Sequence, residues 1–336
     1  MARPLLLRLP NWLGDLIQAW PVVRATAEDA RRPAIFVGPA AFEGLLRPRF
    51  PSALYIPWSR ARRFAAVPEI RRLEAGLALL LTDSLSSALL AALAGVPERV
   101  GYAAEFRSLL LTRRVPRAAP SRSRPRLEEY AALARAAGLT VEDEIPRLTA
   151  TDEERERASA LLESRGLRGA YLVLAPGASY GPAKRWDAER FAALGAALRG
   201  RDGTRSVLVG AREDGEATGR VVALLGPAAL DLTGSTDLPA LAGVLDGAAL
   251  VASNDSGVMH LAAALGRPTV AIFGSTSPIW SAAQAPWVRA LYAAYPCSPC
   301  FRRTCPIGYG CLRSIEVSAA TGAAEELLAT YRAVFR

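Results

Sequence analysis

Lysine, histidine and asparagine are almost missing from this 336-residue chain. Lys184 is the one lysine beside 40 arginines, His260 the one histidine, and Asn11 and Asn254 the two asparagines. No window approaches the ~18 uninterrupted apolar residues of a membrane-spanning helix, which excludes an integral helical membrane protein. The opening stretch Met1–Arg8 imitates a signal peptide, yet Arg8 and Asp15 interrupt it and no small-x-small site follows. It reads instead as a buried first strand, and a cytoplasmic address is expected. G-x-G-x-x-G is absent, and no glycine loop precedes Lys184. Dinucleotide oxidoreductases and P-loop nucleotidases therefore lose their usual signature.

Scarcity also points somewhere. In a composition swollen with Ala, Arg, Gly and Pro, a residue type kept once marks a place where its substitute fails, chance survival being the plain alternative. Arginine cannot mimic a compact ammonium, and neutral imidazole has no stand-in. Charge is uneven too. Residues 1–150 hold 22 arginines against 14 acidic residues, an excess of eight positive charges, whereas residues 151–336 are nearly balanced. The excess clusters at Arg60/Arg62/Arg63, Arg71/Arg72, Arg113/Arg114/Arg117 and Arg122/Arg124/Arg126. Such a surface attracts nucleic acid, acidic lipid or a phosphorylated acceptor, or serves only to keep the chain soluble.

With 51% hydrophobic residues, the chain has material for two cores, and one core rarely outgrows ~250–300 residues. Short apolar runs alternate with helical stretches. In the first half the runs are Leu5–Leu7, Ala34–Val37, Leu54–Ile56 and Leu77–Leu81, with helices expected over Asp15–Arg31, Ser84–Ala94 and Arg126–Ala137. Pro116–Pro125 reads as an exposed loop. A second series follows Gly138. Its strands are expected at Tyr171–Ala175, Ser206–Val209, Ala249–Ala252 and Thr269–Phe273. Its helices are expected at Asp152–Ser164, Ala188–Leu198, Gly215–Leu225, Leu238–Leu245, Gly257–Leu265 and Ala319–Phe335. This is an α/β pattern of two doubly wound parallel-sheet domains with a cleft between them. The expected boundaries are 1–150, 151–318, and a last helix over 319–336 packing back across the boundary.

One motif fails on inspection. Gly177-Ala-Ser179-Tyr-Gly181 matches the serine-hydrolase elbow, but Pro182 and Lys184 stand where a helix must begin. Two others survive. Pro176–Trp186 follows the first strand of the second half, and Ser253–His260 follows a later one. Both lie at carboxyl ends of parallel strands, where α/β sheets bind ligands. Asp255-Ser256-Gly257 opens a helix whose free N–H groups suit an anion. Lys184 and Arg185 are placed to contact a diphosphate. In the first half, Asn11-Trp12-Leu13-Gly14-Asp15 follows the first strand. Asp15 next to Gly14 suits a general base, although taken alone it reads first as a helix cap.

The chain resembles the ADP-heptose:lipopolysaccharide heptosyltransferases of glycosyltransferase family 9, above all the heptosyltransferase II branch. Four stretches carry the resemblance: Pro10–Asp15; Arg99–Tyr102 with Arg107–Thr112; Pro176–Trp186; and Asn254–His260 with Arg267-Pro268. It implies a GT-B fold, the N-terminal domain binding a lipopolysaccharide inner-core acceptor (a phosphorylated glycolipid) and the C-terminal domain binding ADP-heptose. The implied reaction is inverting transfer onto the first inner-core heptose. The alternatives are another acceptor within the family, or a GT-B sugar-nucleotide epimerase. Asp15 and Lys184 are then catalytic. Ser179, Lys184, Arg185, Glu213, Asn254, Asp255, Ser256, Gly257 and His260 bind donor, with His260 on the phosphates and Glu213 on the ribose. Asn11, Trp12, Gly14, Arg60 and Arg63 bind acceptor. Peripheral contact with the inner membrane and no nucleic-acid partner are expected. The chain departs from the family in lacking a histidine before the helix at Arg126, and in having Ala178-Ser179-Tyr180 where an acidic–aromatic pairing is usual.

All four cysteines fall within fifteen residues, Cys297, Cys300, Cys305 and Cys311. The spacing suits convergence on one tetrahedral structural zinc or iron, with reduced thiols and disulfides as alternatives. Members of the resembled family carry similar clusters. No cofactor is expected to be required for catalysis.

Overall fold

The computed structural model describes residues 2–117, 122–142 and 145–334. The chain divides into two units, Met1–Pro146 and Arg147–Arg336, four residues before the expected boundary. Part of the Pro116–Pro125 loop and the last two residues of the expected final helix lie outside the described residues.

Six parallel strands build the first unit: β1 (Leu5–Arg8), β2 (Ala34–Pro39), β3 (Leu54–Trp58), β4 (Leu77–Leu80), β5 (Glu98–Tyr102) and β6 (Arg113–Val115). They lie in the order β3-β2-β1-β4-β5-β6. The switch point therefore falls between β1 and β4, both fully buried. Consecutive apolar residues fit a strand covered on both faces. The helix expected over Asp15–Arg31 is broken: one segment spans Leu13–Gln18 and a second Trp20–Ala27, with Pro21 in its first turn. Proline has no N–H to continue the first helix, so it starts a new one.

The second unit repeats the scheme with β7 (Tyr171–Ala175), β8 (Arg205–Leu208), β9 (Ala229–Asp231), β10 (Leu250–Asn254), β11 (Thr269–Phe273) and β12 (Val288–Tyr292). Their order is β12-β11-β10-β7-β8-β9, with every pair parallel and the switch point between β10 and β7. The helix Asp152–Ser164 starts at a capping box, in which Thr151 Oγ1 accepts from Glu154 N and Glu154 Oε2 accepts from Thr151 N. The last helix runs Val317–Val334. Ala320, Ala324 and Leu327, spaced on one helical face, join the core of this unit around Leu174, Phe191 and Ile272. Among the described residues, no helix is long and apolar enough to cross a membrane.

Candidate functional site

In the C-terminal unit, the loops after β7, β8, β10 and β11 share the carboxyl edge of one parallel sheet. Asp255 is the hub, placed directly after β10 and buried. Lys184, from the loop after β7, brings Nζ to 2.5 Å from Asp255 Oδ2. Thr276 Oγ1 and Ser281 Oγ donate to the same oxygen at 2.6 and 3.2 Å. A lone ammonium is thus held at the switch point between β7 and β10, over the ring of Tyr180 at 4.9 Å. A guanidinium is wider and flatter and does not reproduce this contact. Thr276 and Ser281 were not singled out from sequence. The one available signal is the hydroxyl run Ser275-Thr276-Ser277 just beyond β11.

Asn254 is not positioned as a ligand contact. It is fully buried, its Oδ1 accepting from Trp186 N at 3.0 Å and its Nδ2 donating to Pro176 O at 2.7 Å. An amide can do both at once, so Asn254 clamps the two ends of the loop that carries Lys184. The same loop turns at Gly181, where φ is +144° and a β-carbon would meet Arg303 O at 2.6 Å.

His260, on the helix Gly257–Ala264, is also buried. Burial pushes its pKa down to about 4; Asp255 opposes the shift and Lys184 adds to it. At neutral pH, and through the mildly acidic range where an exposed histidine would take up a proton, it is an uncharged ring. Arg185 lies 3.7 Å from Asp214, a residue absent from the sequence-based set. Asp214 Oδ2 accepts from Ala211 N, and its carboxylate packs where a side chain on Gly177 would stand. Ser179 and Glu213 are exposed at this edge, and Ser256 and Gly257 are half-buried at the start of their helix. Ser253 Oγ lies 3.0 Å from Ser256 Oγ.

In the N-terminal unit, Asp15 sits after β1 at the other switch point. Its Oδ1 is 2.8 Å from Arg126 Nε, which also donates to Tyr130 OH at 2.9 Å. Burial keeps the Tyr130 phenol protonated, and Asp15 reinforces the effect. From Arg126 a chain of ion pairs continues through Glu129 and Arg117 to Asp83, after β4, and then to Arg107. Asn11 Oδ1 accepts from Arg8 Nη2 at 2.7 Å. Trp12 is 53% exposed and Gly14 is buried, while Arg60 and Arg63 are exposed in the segment after β3.

The four thiols do not close on a point. Cys297 is exposed, Cys311 buried, and no disulfide joins them. Among the described residues no three His, Cys, Asp or Glu side chains are grouped where they could hold a metal ion. The thiols are near enough for charge on Cys297, Cys300 and Cys305 to raise the Cys311 pKa, after burial as the larger cause. Backbone N–H groups of Tyr309, Ile307 and Gly308 lower that of Cys305. As placed, these residues do not fit the expected zinc or iron. The loop is secured otherwise: Phe301 N donates to Ser275 O, Ala183 N to Arg303 O, and Ser298 Oγ to Gly274 O.

A family model described as glycosyltransferase family 9 (heptosyltransferase) matches residues 63–309. Lipopolysaccharide heptosyltransferase 2 of Escherichia coli K12 is 32% identical over 295 residues, covering 80% of this chain and 82% of that protein. Lipooligosaccharide heptosyltransferase 2 of Haemophilus influenzae is 30% identical over 287 residues, covering 80% and 74%. The solved structure of E. coli ADP-heptose lipopolysaccharide heptosyltransferase II superposes with a TM-score of 0.82 at 27% identity, covering 98% of this chain and 99% of that one.

Proposed function

The chain belongs to glycosyltransferase family 9, the heptosyltransferases, and from that premise we propose how its residues divide the work of transfer. It is a heptosyltransferase of lipopolysaccharide core biosynthesis with a GT-B fold, moving heptose to the inner-core heptose. The donor is ADP-heptose and the acceptor a phosphorylated inner-core glycolipid. The C-terminal unit takes the donor and the N-terminal unit the acceptor.

In this reading an acceptor hydroxyl attacks the anomeric carbon from the face opposite ADP, which inverts that carbon. Asp15 takes the hydroxyl proton. As the bond to ADP breaks, negative charge grows on the diphosphate. Lys184, Arg185 and the N–H groups around Ser256 and Gly257 offset it. Ser179 lines the donor site and Glu213 reaches the ribose. His260 acts here as a neutral hydrogen-bonding ring, and Asn254 acts through the loop it clamps. Asn11, Trp12, Gly14, Arg60 and Arg63 receive the acceptor. The observation that carries this assignment is the lone ammonium of Lys184, fixed on Asp255 at the switch point of a doubly wound sheet. No cofactor enters the chemistry.

The test is an assay of purified protein with ADP-heptose and heptosyl-Kdo2-lipid A. Transfer requires both substrates, whereas an epimerase would convert the donor alone. Asp15→Ala should lower kcat about 10²–10⁴-fold with little change in ADP binding. Unchanged turnover would remove Asp15 from the role of base.

A further inference from the structure

The two most exposed large apolar side chains recorded among the described residues are Leu109, at 77%, and Phe106, at 76%. They share one short 3-10 segment, Glu105–Leu110, which leaves the carboxyl end of β5. At three residues per turn, positions i and i+3 stand one above the other. Phe106 and Leu109 therefore form a single outward face.

The segment is held firmly beneath that face. Arg107, between the two, is buried and 3.3 Å from Asp83. Arg114, an exposed residue, donates from Nε to Ser108 O at 3.0 Å. Leu85, itself 48% exposed, opens the neighbouring helix Leu85–Leu93, which packs against the segment. Exposed arginines Arg122 and Arg124 follow β6, the strand beside β5, and Arg60, Arg62 and Arg63 follow β3 at the opposite edge of the same sheet. Two apolar side chains proud of an arginine-rich surface match a bilayer interface. The apolar groups enter the acyl boundary while the cations meet acidic headgroups.

We propose that the face formed by Phe106 and Leu109 docks the N-terminal unit onto an anionic phospholipid bilayer. Charge complementarity favours this occupant, since the unit carries seven of the nine net positive charges of the chain. The proposal deepens the acceptor assignment above and rests on it, because a lipid-anchored acceptor must be met at its membrane. The ion-pair chain from Arg107 through Asp83, Arg117, Glu129 and Arg126 to Asp15 joins the docking segment to the candidate base.

Flotation of the full chain with phosphatidylethanolamine/phosphatidylglycerol vesicles, and with phosphatidylcholine vesicles, reads the contact directly. F106D/L109D should reduce partitioning into the anionic vesicles about tenfold or more, with the melting temperature unchanged. The neutral vesicles should bind the wild-type chain far less. Equal binding to both vesicle types, or undiminished binding by the double variant, overturns the proposal. Self-association abolished by F106D/L109D, without vesicle binding by either protein, also overturns it and gives the face to a second copy of the chain. A lipid-free heptosylated core oligosaccharide separates this proposal from the reaction itself. Both proteins should turn it over equally, and failure of the wild type there would count against the acceptor assignment while the vesicle result stands by itself.

Discussion

His260 ties the candidate site to stability. Its folded pKa is about 4, below the ordinary histidine value of about 6.5. Above that value both folded and unfolded chains carry a neutral ring, so no penalty exists. As pH falls from about 6.5 to 4 the unfolded chain takes up a proton that the folded chain refuses, and stability drops. The full loss is roughly 3 kcal/mol, reached near pH 4. Urea unfolding across this window should show the slope in the wild type and a much flatter one in His260→Gln. Lys184 yields a second expectation. Lys184→Arg keeps the charge but cannot seat a planar fork on the oxygen that Thr276 and Ser281 also use, so kcat/KM should fall at least about tenfold. Scarcity made these two residues and Asn254 legible, and all three do lie at one sheet edge. Their environments were not legible. Whether a histidine is buried and neutral, or an asparagine binds ligand or backbone, depends on loops that close in three dimensions. Asp214, Thr276 and Ser281 escaped because their residue types are common and their partners lie far away in sequence.

At the scale of elements, the alternating pattern located β3, a partly exposed edge strand, and β1, β2, β4, β7, β8, β10 and β11, whose apolar runs are buried on both faces. It missed β5, β6, β9 and β12. These strands lie toward the margins of their sheets, and sequences such as Glu98-Arg99 or Arg113-Arg114 offer no continuous apolar run to detect. The cysteine segment shows the limit of spacing alone, which suggests a ligand set without fixing where each sulfur lies. Because hydrogen bonds to Gly274, Ser275 and Ala183 hold this segment, chelators should leave the melting temperature unchanged, and four thiols should titrate in the unfolded protein without metal release. One equivalent of zinc or iron by elemental analysis, with a lower melting temperature on its removal, would show that the sulfurs close on a metal.

Across the whole molecule, the charge imbalance separates two binding events that one enzyme must perform. The excess of positive charge lies in the unit proposed for the acceptor, while the other is nearly neutral overall and relies on a few local groups. Raising salt from 50 to 300 mM shortens the Debye length from about 14 to about 6 Å. The KM for a phosphorylated acceptor should rise several-fold over that range, and the KM for the nucleotide sugar much less. Equal responses would mean that the arginines of the first unit do not draw in the acceptor.

The clamp made by Asn254 bears on how donor is captured. Both ends of the Pro176–Trp186 loop are fastened to the end of β10 by one buried amide, so the position of Lys184 is settled when the chain folds. A nucleotide arriving at such a loop meets a template already in shape and gives up little binding free energy to ordering it. Donor affinity is then governed by the match between ligand and template. A ligand that needs the lysine elsewhere is rejected by the rigidity of the loop, with no steric wall required to exclude it.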